Sequence, residues 1–142
     1  MNHEPVSLLV GWLNSVAGLS SNPPRVSSLI AEQAALPAVA VVNATGGPLA
    51  DASGLDTVYD WTATIYCVAG RTGAGLDYPD YQAAAQLAGY IVGAARAVAG
   101  GAHYVAVSGA RLIDAEIIAM TRSVDDAGNA IVTLTVDVRV SD

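Results

Sequence analysis

The chain has 142 residues, with thirteen Asp and Glu against six Arg, no lysine and a formal net charge of −7. Affinity for nucleic-acid backbones comes mainly from Lys and Arg displacing condensed counterions, so this balance argues against a nucleic-acid binder, although a duplex could slide past an acidic wall. Without lysine there is also no P-loop and no Schiff-base chemistry.

The length suits one domain, 1–142, with a single core. Charged residues make up 13% of the chain, about half the roughly 25% usual for soluble domains. Two readings of that sparse charge stand side by side. One is an alanine-rich composition from a GC-rich genome, and the other is a surface covered by partner subunits.

In chain order, "MNHEPVSLLVGWL" lacks a positive leader region and does not read as a signal peptide. Glu4–Leu19 reads as a helix, with Pro5 at its first position and Gly18 as its stop. Leu8, Leu9, Trp12, Leu13, Val16 and Leu19 form its apolar stripe. "SSNPP" is a loop, and Asn22–Gln33 is ambiguous. Leu36–Ala44 reads as a strand, since Pro37 suits a strand's start or edge. Thr45–Asp56 reads as a long polar connection.

Asp56–Ala69 is the strongest strand, with Tyr59, Trp61, Ala63, Ile65 and Cys67 on one face and Asp60, Thr62, Thr64 and Tyr66 on the other. Gly70–Asp80 is a second loop. A long Ala-rich helix follows from Pro79 to Ala99, with Asp77 or Asp80 at its N-terminus and Ala84, Leu87, Ile91, Ala94 or Ala95, and Val98 facing inward. Residues 103–122 hold one or two strands with a kink at Ser108–Gly109. "DDAGN" then turns the chain into a last strand with Val132, Leu134, Val136, Val138 and Val140 inward and Thr133, Thr135, Asp137 and Arg139 outward. This order predicts an α+β fold: a mostly antiparallel sheet of four to five strands with two helices packed on it.

The chemistry on offer is thin. "GRTGAG" has the wrong glycine spacing for a phosphate cradle and no lysine behind it. His3 and His103 stand far apart, short of the three or four converging ligands a metal needs. Cys67, the lone cysteine, excludes an internal disulfide and falls on an apolar face, where a thiol acts as a small hydrophobe. Ser108 lacks the flanking pattern of a nucleophile elbow. Asp114 and Glu116 share a strand face, and with His103 they are the residues an enzyme reading would use. The expectation is no catalytic, cofactor-binding or metal-binding residue. Ala83–Ala102 is too rich in Ala and Gly for a membrane span.

The succession "LPAVAVVNATGG", "DTVYDWTATIYCVAG", "YQAAAQLAGYIVGAARAVAG" and two closing strands around "DDAGN" resembles the tail terminator proteins of long-tailed phages, over about Leu8 to Val140. Lysine-free, alanine-rich usage is similar to that of phages of GC-rich actinobacteria. The resemblance implies a homo-hexameric ring that ends tail-tube polymerisation, partners in the tail tube protein and the head-closure or neck protein, and DNA passing through the centre. It also implies residence in the virion, after assembly in the host cytoplasm, without membrane. On that reading, contacts with adjoining rings fall in the two loops, at Thr45, Pro48, Leu49, Asp51, Leu55, Arg71, Leu76 and Tyr78. The subunit–subunit sheet face is Thr62, Thr64, Tyr66, Thr133, Thr135, Asp137 and Arg139. The alternatives are another neck, head-closure or tail-tube component, and a small α+β enzyme or ligand-binding module.

Overall fold

The computed structural model describes residues 5–19, 25–26, 37–48, 58–72, 78–106 and 108–141. Its α+β architecture is a twisted sheet with two helices on one face, as the order of elements predicts. Helix α1 is Pro5–Asn14 and α2 is Tyr81–Ala99. Strands β1 (Arg25–Val26), β2 (Ala38–Pro48), β3 (Val58–Ala69), β6 (Tyr104–Val105), β7 (Arg111–Val124) and β8 (Ala130–Ser141) make the main sheet, in the order β1-β2-β3-β8-β7-β6. Two further short strands, β4 (Arg71–Thr72) and β5 (Tyr78–Pro79), pair separately.

All neighbours in the main sheet are antiparallel except β1, which lies parallel to β2. The sequence did not reveal that short parallel edge. Strand β8 sits in the middle, between β3 and β7, which explains why it is the most regularly alternating segment. Ala130, Val132, Leu134, Val136, Val138 and Val140 are buried, while Ile131, Thr133, Thr135 and Asp137 are half-buried. One apolar cluster joins this face to Leu9 and Leu13 of α1, to Leu87 and Ile91 of α2, and to Val39, Val41, Ile65 and Cys67.

Helix α1 is shorter than its apolar stripe suggests. The Ser15 hydroxyl donates to the Trp12 carbonyl, and the Ser15 and Val16 N–H groups bond to Trp12 and Leu13 three residues back. This local competition ends the α-helix at Asn14. Residues Ala17–Leu19 resume as a single 3-10 turn, so Gly18 is not the stop. Its place has another cause: a Cβ there would lie 2.4 Å from the Tyr90 ring of α2. Helix α2 starts one residue inside a cap, Asp80, whose carboxylate accepts from the Ala83 N–H at 3.1 Å. Pro79, expected inside this helix, belongs to β5 instead.

Both long loops are smaller than expected. Residues 45–48 continue β2, with Thr45 opposite Thr62 and Pro48 opposite Tyr59. The base of the second connection is closed by the β4–β5 pair and by the Asp80 N–H donating to the Gly70 carbonyl at 3.0 Å. The predicted β7–β8 turn is present. Asp125 organises it, its carboxylate accepting from the Ala127 and Asn129 N–H groups at 2.9 and 2.8 Å and from the Asn129 amide.

Two stretches of sheet edge stay open among the described residues. Strand β6 covers β7 only at Arg111 and Leu112, and β1 covers β2 only at Ala40 and Val41.

Candidate functional site

The face of the sheet turned away from α1 and α2 gathers the polar residues that single-strand alternation points outward. Register sorts them into rows across the strands. Gly47, Asp60, Arg139 and Asp114 form one row, and Thr45, Thr62, Asp137 and Glu116 the next. Asn43, Thr64, Thr135 and Ala119 follow, then Ala40, Tyr66, Thr133 and Thr121. Thus Thr62, Thr64, Tyr66, Thr133, Thr135, Asp137 and Arg139 lie on one face, and Thr45 joins them from β2. Two bulges keep the rows in step, between Val41 and Asn43 and between Ile117 and Ala119; a third lies between Leu112 and Asp114.

Of the residues placed in loops from the sequence, Pro48 is in β2 and shares the opposite face with Tyr59. Arg71 is exposed in β4, with its guanidinium against the Gly128 turn, and Tyr78 of β5 is exposed. Leu49, Asp51, Leu55 and Leu76 lie outside the described residues. Among the described residues, Thr45 and Pro48 lie in β2 and Arg71 and Tyr78 in the β4–β5 pair, while the sheet set lies together on one face.

The electrostatics of the face concentrate at one end. Thr62 donates to the Asp137 carboxylate at 3.1 Å. Asp60 is held above the ordinary carboxylate value, first by desolvation, then by the Asp137 charge and hydrogen bond, with a smaller push from Asp114; Arg139 works the other way. The sign for stability follows. The folded state holds the Asp60 proton more tightly than the unfolded chain, so this group's stabilisation is complete below the unfolded pKa of about 4 and is lost as pH rises through the folded value. Asp60→Asn is therefore expected to be more stable than the parent at pH 7, by less than about 1 kcal/mol, with the advantage gone by about pH 4. Urea titrations at the two pH values measure it; an equal difference at both would rule out the charge explanation.

The residues an enzyme would use are dispersed. Asp114 and Glu116 border a groove between α2 and β7, while His103 borders a separate one with Trp12 and Tyr104. No group of three or more His, Cys, Asp or Glu that could hold a metal occurs among the described residues. Cys67 is fully buried, and burial pushes its thiol up to about 12, far from a nucleophile's range. Among the described residues no helix is long and apolar enough to cross a membrane.

Sequence reasoning missed the exposed apolar side chains of β7: Ile118, Met120 and Val124. The signal was present as the doublet Ile117–Ile118, two apolar residues in succession where a regular strand alternates, which marks the bulge. The Asp60–Asp137 proximity joins strands 77 positions apart and had no local signature.

No protein-family model matches the sequence, and no curated protein matches it. Among solved structures, the fold is similar to a chain described as the virion of a native gene transfer agent (GTA) particle. The TM-score is 0.59 at 15% identity, over 99% of this chain and 100% of that one.

Proposed function

We propose that the chain is a structural protein of a phage-like virion, and within that class a tail terminator. It forms a homo-hexameric ring that ends the tail tube and meets the head-closure or neck protein, with DNA passing through the centre. The observation that carries this reading is the end-to-end agreement in fold with a virion-particle chain, over 99% of this chain and 100% of that one. The order of elements that resembles tail terminators points the same way.

The polar face suits that role. Its hydroxyl rows offer donors and acceptors to neighbouring protein, and Asp60, Asp114, Glu116 and Asp137 outnumber Arg111 and Arg139, so phosphate is disfavoured. Ring closure needs a heterologous contact, in which one surface of each copy meets a different surface of the next. Of the residues expected to contact adjoining rings, Thr45, Pro48, Arg71 and Tyr78 are exposed among the described residues. The test is the mass of the purified protein in solution together with electron microscopy of virions. A single ring of about six copies at the head end of the tube is the expected result. Long cylinders would make it the tube subunit, and a monomer absent from virions would end the virion reading.

A further inference from the structure

We propose that the open edge of β7 in one copy pairs antiparallel with the open edge of β2 in the next, so that the sheet continues from copy to copy. This deepens the ring reading and rests on it.

Four observations on the edges point to a second copy as the occupant. Strand β7 is covered by β6 only at Arg111 and Leu112, which leaves its backbone donors and acceptors beyond that point unpaired along the sheet edge among the described residues. On the other margin, β1 covers only Ala40 and Val41, so residues 42–48 of β2 are open among the described residues. An uncovered edge with exposed apolar side chains is an aggregation hazard unless a partner takes it. Here Ile118, Met120 and Val124 are 52%, 53% and 47% exposed.

The two edges are also matched in direction. From β2 to β3, β3 to β8 and β8 to β7 the chain reverses each time, so β2 and β7 run opposite ways. Laying β2 of a second copy beside β7, with the sheets coplanar, therefore makes another antiparallel junction, the pattern the sheet already uses. Pairing β7 with itself would also be antiparallel, but it closes on a two-fold axis and leaves both β2 edges open.

The faces match as well. Asn43, Thr45 and Gly47 of β2 lie on the polar face, as do Glu116, Ala119 and Thr121 of β7. Ala44 and Gly46 lie on the helix side, as do Ile117 and Met120. Polar rows thus continue into polar rows, and apolar ones into apolar ones. Glycines at 46 and 47 also let another backbone approach β2 closely. Finally, a groove of about 430 Å³ opens between α2 and β7, floored by Val92, Ala95, Ala115 and Ile117, where the helix-side side chains of an added strand would lie.

Directly opposed residues of an antiparallel pair have Cβ atoms close enough for a disulfide. Thr45→Cys is combined in one chain with Glu116→Cys, Ala119→Cys or Thr121→Cys, in three double variants, and each is oxidised mildly beside its single variants. Cys67, being buried, stays in place. The expected result is a ladder of covalent multimers in at least one double variant, ending at the copy number of the ring, with no covalent dimer in any single variant. A dimer from Ala119→Cys or Thr121→Cys alone would show β7 paired with itself and overturn the proposal. Rings of normal mass from all three double variants with no ladder would overturn it too, while leaving the ring reading intact. Absence of any ring of the parent, in solution and on virions alike, would sink the ring reading and this proposal together. As a second arm, Ile118→Lys is expected to shift the parent's ring to a monomer that keeps the parent's far-UV circular dichroism spectrum; a ring that tolerates the lysine counts against the edge.

Discussion

Leu134→Ala is expected to lower the unfolding free energy by about 3–5 kcal/mol, near the top of the range for single core truncations. Leu134 is fully buried in the central strand, with Ile65 and Met120 beside it in register and α2 lying across β8. A hole at that point is enclosed by strands on both sides and a helix above, so the surroundings can collapse into it only in part. Against a total of about 5–15 kcal/mol for a domain, the loss is a large fraction, equivalent to a fall of about 10–17 °C in Tm. Its neighbour Thr135, on the polar face and paired with Thr64, is the control. Thr135→Ala is expected to cost less than about 1 kcal/mol. Urea unfolding of the two variants at unchanged m-value decides the matter. Similar losses at both positions would mean that the two faces of β8 are not as unequal as its burial pattern says.

Gly46→Ala is the second large effect, and it acts through the backbone. Gly46 has φ +144°, a region L side chains rarely enter, and an added Cβ would stand 2.0 Å from the Asp60 carbonyl oxygen on β3. Neither that carbonyl nor its strand can step aside, because β3 is paired on its other margin with β8. The variant has to peel the end of β2 away from β3, at a cost of about 2–4 kcal/mol. Gly47→Ala is the contrast: nothing lies within 4 Å of its added Cβ, and the expected change is within about 1 kcal/mol of zero. Trp61, opposite Gly46 and stacked on Tyr59 with ring centroids 6.1 Å apart, reports the local opening by fluorescence. Its indole N–H is buried without an acceptor among the described residues, so opening the strand end hydrates it. Equal stability of the Gly46 and Gly47 variants would contradict the strand pairing at this end.

The local rules read this sequence well where one element's pattern is self-sufficient. Alternation over Val132–Val140 and Tyr59–Cys67 assigns each side chain its face, because a strand's side-chain period is two whatever lies beside it. The Ala-rich helix, its Asp80 cap and the Asp125–Asn129 turn are legible for the same reason: their hydrogen bonds close within a few residues. The polar sheet set was readable one strand at a time.

The chain's misreadings have a shared cause. "TGGP" has turn composition and predicts a loop at residues 45–48, yet β3 extends far enough to pair with them and overrides the propensity. Gly18 looks like a helix stop, whereas its reason is a ring on another helix. The strand order, the bulges, the Asp60–Asp137 contact and the two open edges depend on which strand lies beside which. Those choices were made only by tertiary packing. The sequence by itself determined the elements, the face each residue takes and the scarcity of reactive groups, since those follow from short-range geometry. Placing β8 between β3 and β7 took the whole fold, because pairing energy is gained between segments far apart in the chain, where no local pattern names the partner.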